Sequence, residues 1–532
     1  IIENGDQIRA KKYEIQEIKK LGIDENEEIG YSFEIENYQI RYLNDKMFSI
    51  KRGKIIKNFW DTSNFYKSGY GHISLDYASQ RYLGKHKTND EKGLDRRKIG
   101  EEEGYYELHR EKIIEYCIDD ALLTAQLFKR TIEGYEKIGF KFPQKPYSEA
   151  SIFKEYINPK WDREKEYAIS YQNSSYFSYF YNAYRGGLFQ TWNIGRYDNL
   201  YDIDINSAYP YVISNLYSVV DSEITNDLEN SDYKFYKILA RPNRFLPLKH
   251  QKRLYYGHST HSFEFFVTEW DLKLMDLFHY DYKILNSIGI KTKKKLLLPE
   301  LKEIYKKKFE IKQKYGSESV EYYNIKIMLN SGYGVFAQSV PNFTQFSNFI
   351  YASYITAYTR YMIGNFVKIN PDKVIAISTD GILFQDVTQS KGIEIMKEYE
   401  GNDLGDIKIE YYDYGTQFAN GLYVLWKNNR YYLKKRGYEK MTIEDLFSPK
   451  TEIEYHYSKP MRMMEAIIQK KYDKINEFTE FTKIFSPFNI WISTNPQFAQ
   501  SLIGIPIRDF HSLQKEVNEN DLDKIKWILN NE

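Results

Sequence analysis

The chain has 532 residues, a formal net charge of +1 and 28% charged side chains, so it is too long for one hydrophobic core and is neither a polycation nor a polyanion. No run approaches the roughly 20 apolar residues of a membrane-spanning helix, and the opening Ile1-Ile-Glu-Asn-Gly5 leads into polar sequence with no signal-peptide pattern, so no membrane partner is expected. The single cysteine, Cys117, excludes an internal disulfide and sets the expectation of a reducing, cytoplasmic setting.

Short strand-like runs at Gln39–Leu43, Met47–Ile50 and Ile56–Trp60 precede a helix expected from about Glu107 to Gly134. Ile113, Ile114, Cys117, Ile118, Leu122 and Leu123 recur along it with a 3.6-residue rhythm. Phe142-Pro-Gln-Lys-Pro146 marks a first domain boundary, and a helical, aromatic stretch then leads to Tyr184-Arg-Gly-Gly187. Leu200 to Ile205 alternates apolar and acidic residues as a half-buried strand does, and Asn206 and Ser207 can cap a helix through Tyr209-Pro-Tyr-Val-Ile213.

Residues 296–336 predict a helical hairpin, with Pro299 near its first turn, Gly316 ending the first helix and Ser317 or Ser319 capping the second. Val374 to Phe384 predicts a hairpin turned at Asp380-Gly381, and a basic, mixed portion begins near Arg430. Lysines cluster at Lys291–Lys295, Lys302–Lys314 and Lys434-Lys-Arg436. Such stripes suit a nucleic-acid footprint and a solvated helix face equally well.

Asp204 falls at a strand end and Asp380 at a hairpin tip. Alone, either is most often a turn or cap residue. Together, with the backbone carbonyl of Ile205, they can hold two Mg²⁺ (or Mn²⁺) ions for phosphoryl transfer. Lys326, Asn330, Tyr333 and Gly334 share one helix face at i, i+4, i+7 and i+8, which offers a cation to a triphosphate and a flat seat to a base pair. Lys308 and Lys312 reach the same phosphates or lie on a solvated face. Tyr209, one turn beyond Asp204, lies under an incoming sugar or packs in the core.

These residues resemble the family B DNA polymerases, in particular the protein-primed branch of viruses and linear plasmids. Asp204-Ile-Asn-Ser-Ala-Tyr-Pro210 is similar to the family's first catalytic motif, Lys326 to Gly334 to its fingers motif, and Ser378-Thr-Asp-Gly381 to its third. Ala183-Tyr-Arg-Gly-Gly187 resembles the hinge between polymerase and exonuclease sites, which implies DNA contacts for Tyr184, Arg185, Gly186 and Gly187. Gly334 and the Lys434, Lys435, Arg436 run are expected on DNA as well. Tyr116-Cys-Ile-Asp-Asp120 resembles the third exonuclease motif, making Tyr116 and Asp120 an editing remnant. The resemblance extends from about residue 35 to at least 460 and implies Asp204 and Asp380 as metal ligands, with Tyr209 as sugar gate.

Three departures accompany it. Ser378 stands where the third motif usually has an aspartate. Glu34-Ile-Glu36 and Asn58-Phe-Trp-Asp61 only imitate the earlier exonuclease motifs, so the expectation is that the start of that domain precedes Ile1 and that this chain does not edit. Gly421-Leu-Tyr423 lacks the lysine of the primer-binding lysine-x-tyrosine motif, a role expected to pass to Lys434-Lys-Arg-Gly437.

The resulting expectation is an α+β multidomain right-hand polymerase behind a partial ribonuclease H-like 3′-5′ exonuclease domain. Its parts are an exonuclease-like region (1–145), linker, first palm part and insertion (146–295), fingers (296–345), second palm part (346–430) and thumb or C-terminal region (431–532). The activity implied is DNA-templated DNA synthesis from dNTPs on primer-template DNA for a virus, phage or linear plasmid, with a terminal protein as a further partner. A weakened polymerase serving as a DNA-binding scaffold is the alternative. Only Ser339 to Asn348 separates the fingers motif from the next helix, so weak strand displacement is also expected.

Overall fold

The computed structural model describes residues 9–12, 31–35, 37–43, 47–68, 71–87, 94–95, 98–166, 174–193, 195–250, 253–255, 262–338, 344–385, 392–419, 421–435, 441–446, 453–460 and 478–485. The N-terminal part opens with five antiparallel strands paired in chain order, Arg9–Lys12, Tyr31–Ile35, Tyr38–Leu43, Met47–Arg52 and Ile55–Trp60. Asp61, one of the motif imitations, caps the following 3₁₀ turn by accepting from the Ser63 N–H at 2.9 Å. The expected helix runs longer, Tyr105–Lys137, with a break in helical geometry at His109. Leu127 on it packs with Phe65, Tyr66 and Ala78.

The central element is a seven-stranded sheet. Its strands lie in the order Arg430–Lys435, Leu422–Lys427, Ile407–Ala419, Gly195–Ile205, Gly381–Gln385, Val374–Thr379, Leu188–Thr191. Period-two alternation explains its two faces. Ile203, Ile205, Val374, Ile377, Ile382 and Phe384 are buried against Ile363, Phe366 and Val367 of the long helix Phe349–Ile369. Asp202 and Asp204 alternate with Ile203 and Ile205 and so take the other face. The boundary expected at residue 431 is corrected by the pairing: Arg430–Lys435 is the edge strand of this same sheet, so the sheet continues to Lys435.

A second sheet of four strands (Glu223–Thr225, Tyr282–Lys291, Tyr233–Ala240, Phe263–Thr268) fills the insertion region. Its last strand runs into the helix Glu269–Leu277 through a capping box between Thr268 and Asp271.

The helical hairpin consists of Leu301–Tyr315 and Val320–Phe336. Gly316 ends the first helix with a φ of +85°, and of the two candidate serines Ser319 is the cap, accepting from the Tyr322 N–H at 3.2 Å. At its base Phe336 is fully buried among the rings of Phe153, Trp161 and Tyr351. Of the segment on which strand displacement was expected to depend, residues 339–343 lie outside the described residues, while Asn348 caps the long helix by accepting from Ile350 N–H at 3.1 Å.

Removing a fully buried aromatic leaves a cavity, so Phe336→Ala should cost about 3–5 kcal/mol and lower the first thermal unfolding transition measured by circular dichroism. Gly334→Ala adds a methyl group that meets nothing within 4 Å. In the same melt it should hold or slightly raise the midpoint, because alanine is the better helix former.

Candidate active site

The sheet register builds the site. Asp204 stands opposite Gly381 on one side and Lys408 on the other, and Gly381 in turn pairs with Ser378. Ser378, Gly381, Asp204 and Lys408 therefore form one row across four strands, and Ala376, Leu383, Asp202 and Glu410 form the next row on the same face, two residues along. Asp380 occupies the hairpin tip. Its carbonyl accepts from the Ile205 N–H at 2.9 Å, and its own N–H donates to the Ser378 carbonyl at 2.7 Å. Gly381 leaves a notch beside the first carboxylate, since a Cβ there would sit 3.4 Å from Asp204 Oδ1.

The carboxylates are crowded. Burial raises Asp204 to about 6, with Glu410 adding to the rise while Lys408, Lys308 and Lys326 oppose it. Asp204 is nevertheless exposed to solvent. Burial, then the charges of Asp204 and Asp202, raise Asp380 to about 7. Asp202 is raised to about 7 by burial, Asp204 and Glu410, against the pull of Lys408 and Lys434. Opposite them Lys308 falls to about 8 because it is buried beside Lys326 and Lys312. Negative charge thus lines the sheet and positive charge lines the helical hairpin.

The remaining expected residues take definite places. Lys326, Asn330 and Gly334 lie exposed on one helix face with Tyr333 half-buried beside them, while Met328, Leu329, Gly332, Val335 and Phe336 are buried on the other. Lys308 Nζ donates to Ser207 Oγ at 3.4 Å, and Lys312 is exposed, its ammonium 6.0 Å from the Tyr322 ring centre. Ser207 is the residue before the helix Ala208–Asn215 but makes no side-chain cap bond, so the expected capping role is corrected to this contact with Lys308.

Tyr209 and Tyr333 have ring centres 4.6 Å apart, and the hydroxyls of Tyr184 and Tyr333 are hydrogen-bonded. Gly187 is required for this approach, since a Cβ would come within 2.7 Å of Thr379 Cγ2 and 2.8 Å of the Tyr209 hydroxyl. Gly186 has a φ of +75°.

Arg185 departs from its expected place on DNA. It is 5% exposed and donates inward to the carbonyls of Phe266 at 2.7 Å and Ala183 at 3.2 Å. The Lys434–Arg436 run divides: Lys434 is exposed opposite Tyr423, with its charge felt by Asp202. Lys435 instead donates to the Met441 carbonyl at 2.7 Å, and Arg436 lies outside the described residues.

In the N-terminal part, Lys87 Nζ lies 2.7 Å from Asp120 Oδ1 and donates to the Tyr116 hydroxyl at 3.0 Å. The sequence reading passed over Asp202, Lys408, Glu410 and Lys87. The first three carry a signal, the spacings Asp202-x-Asp204 and Lys408-x-Glu410, which place charges on one strand face. Lys87 carries none, since its pairing depends on tertiary contact.

Among the described residues no group of three or more His, Cys, Asp or Glu side chains is gathered closely enough to hold a metal ion unaided. Asp204 and Asp380 still fit Mg²⁺, which commonly takes one or two carboxylates and completes its shell with waters and substrate phosphates. The repulsion between them is what a small cation relieves.

Residues 32–359 match the family described as DNA polymerase type B, organellar and viral. A relative is the DNA polymerase of Acidianus bottle-shaped virus (isolate Italy/Pozzuoli), 28% identical over 277 residues, covering 48% of this chain and 40% of that protein. The chain therefore spans well under half the length of the curated relative it matches. Among solved structures, phi29 DNA polymerase complexed with primer-template DNA superposes with a TM-score of 0.57 at 16% identity, covering 83% of each chain. Phi29 DNA polymerase with single-stranded DNA gives 0.53 at 17% identity, over 77% of this chain and 79% of that one. At such identities the likeness is one of fold.

Cation binding and protonation compete at the raised carboxylates. Mg²⁺ or Mn²⁺ affinity, measured by calorimetry on the chain alone, should therefore rise as pH increases through about 6 to 7, where Asp204 and Asp380 lose their protons. Asp380→Asn should flatten the upper part of that dependence. A pH-independent affinity would place the ion elsewhere.

Proposed function

The chain belongs to the organellar and viral type B DNA polymerases, and from that premise we propose that it copies a DNA template by adding dNTPs to a primer 3′-hydroxyl. The observation that carries the proposal is the facing of Asp204 on the sheet by Lys308 and Lys326 on the helical hairpin: both lysines oppose the rise of Asp204, and Asp204 opposes the fall of Lys308. Phi29 DNA polymerase is known in complex with primer-template DNA and incoming nucleotide substrates, and the same partners are proposed here.

Each residue then has a task. Lys326, Lys312 and Lys308 neutralise the triphosphate, and binding of that polyanion favours the charged form of Lys308. Asp204 and Asp380, with the Ile205 carbonyl, would hold two Mg²⁺ ions, and bound there the ions would supply a lowered pKa at the primer hydroxyl and charge stabilisation for the leaving pyrophosphate. Tyr209 lies against the incoming sugar and excludes a 2′-hydroxyl. Tyr333 and Gly334 seat the nascent base pair, with Tyr184 fixing Tyr333 through its hydroxyl. Asn330 lies on the same face as Lys326 and contacts the nucleotide. Catalysis is positioning plus charge stabilisation.

The Ser378 hydroxyl keeps a polar group in the Asp204 row while removing one charge from an already crowded site. The hinge glycines and Lys434 contact the DNA. Protein priming by a terminal protein and use in replication of a virus or linear plasmid belong to the same proposal. Editing does not, because the Asp120 carboxylate is occupied by Lys87. A DNA-binding scaffold without synthesis is the second reading, favoured by Ser378, and primer extension in Mg²⁺ and in Mn²⁺ separates the two.

Two outcomes are expected. Asp204→Asn or Asp380→Asn should abolish nucleotide addition to a labelled primer while gel-shift affinity for primer-template stays nearly unchanged, because DNA binding resides in the cations. Normal extension by either variant removes that residue from the site. Tyr209→Val should lower the ratio of dNTP to rNTP incorporation efficiency by about tenfold or more. An unchanged ratio reduces Tyr209 to a packing role.

A further inference from the structure

The helical hairpin is fastened at its far end. Glu321, on the first turn of Val320–Phe336, is 1% exposed and accepts two hydrogen bonds from Arg130 Nη2, at 3.0 Å and 2.8 Å. Lys137 Nζ adds a third contact at 3.5 Å. Both cations lie on the N-terminal helix Tyr105–Lys137. Burial works against the Glu321 charge, yet the hydrogen bonds from Arg130 and the charges of Arg130 and Lys137 hold its carboxyl below the usual range.

Contacts around this pair extend the attachment. Asn324 Nδ2 donates to the Thr131 carbonyl at 3.3 Å, Lys307 Nζ donates to the Ile138 carbonyl at 2.8 Å, and Arg81 pairs with Glu318 near the turn between the two helices. Gly134 lets the side chains of Asn324 and Val320 seat against the N-terminal helix, since a Cβ there would fall 2.8 Å from both Asn324 Nδ2 and Val320 Cγ1. The hairpin is therefore held at both ends, by the Phe336 aromatic cluster at its base and by Arg130 and Glu321 near its tip.

We propose that the N-terminal exonuclease-like part acts as a brace for nucleotide binding, with Arg130 and Glu321 as positioning residues for Lys326 and Tyr333. The inference rests on the polymerase reading. Glu321 precedes Lys326 by five residues on one rigid helix, so the salt bridge sets the tilt and rotation of the face that meets the triphosphate. An ion pair removed from water has a narrow range of good geometries, which makes it a better register pin than apolar packing alone. The brace also gives this part of the chain a use that does not require Asp120 to hold a metal.

Single-nucleotide incorporation tests it, using the whole chain well below its melting temperature. Glu321→Gln and Arg130→Met should each raise the dNTP KM by about tenfold while kcat changes less and primer-template affinity stays put. The double variant should be no worse than either single one, because both remove the same link. Arg130→Lys, which keeps one charged contact, should fall between, as should Lys137→Met, the milder change if the others fold poorly. A melting temperature that drops with an unchanged dNTP KM overturns the proposal. An inactive wild type counts against the polymerase reading instead. The brace is then judged by hydrogen exchange: amides of residues 320–336 should exchange faster in Glu321→Gln, and unchanged exchange overturns it.

Discussion

The site depends on one backbone constraint: the register that sets Asp204 opposite Gly381 and joins the Ile205 N–H to the Asp380 carbonyl. It brings together two pieces of chain separated by the insertion region and the helical hairpin. A slip of one residue would turn Asp204 into the apolar core and Ile203 or Ile205 toward solvent. The burial of Ile203, Ile205, Ile382 and Phe384 is therefore what specifies the placement of the carboxylates. Apolar packing on one face determines the chemistry available on the other.

That arrangement carries an electrostatic load. Burial and neighbouring carboxylates raise the proton affinity of Asp202, Asp204 and Asp380, whereas Lys408, Tyr412 and Lys427 hold Glu410 below its ordinary range. The hairpin lysines have the mirror-image problem, shown by the lowered value of Lys308. Each cluster is poorly accommodated by itself and better accommodated by a ligand of opposite sign. A cation complements the carboxylates and a polyanion complements the lysines.

What could be read from the sequence was local. Alternation around Asp204, the Asp380-Gly381 turn, Gly316 as a stop and a serine cap at Ser317 or Ser319 are decided within a few residues, and the structure selects Ser319 of the two. The face shared by Lys326, Asn330 and Gly334 is likewise a matter of helical spacing. What escaped depends on distant partners. Arg185 beside two glycines reads as an exposed hinge residue, yet carbonyls of Ala183 and Phe266 draw it inward, and its charge bears on the buried Asp271 that Arg360 contacts at 2.6 Å. Lys434 and Lys435 look equivalent in sequence and part company only because strand pairing sends them to opposite faces. Ser207 reads as a cap, but the lysine that engages it comes from the helical hairpin.

The pairing of Lys87 with Asp120 has a consequence for how the two halves of the molecule answer to their surroundings. The Lys87 side chain is 7% exposed, and although burial works against its charge, hydrogen bonds with Asp120 and Tyr116 hold the ammonium above its ordinary pKa. A tethered ammonium of this kind balances the Asp120 charge from within the chain. At Asp204, by contrast, burial and Glu410 outweigh the opposing charges of Lys408, Lys308 and Lys326. One chain thus holds two aspartates in opposite electrostatic settings, one paired with a buried lysine and one pushed toward its protonated form.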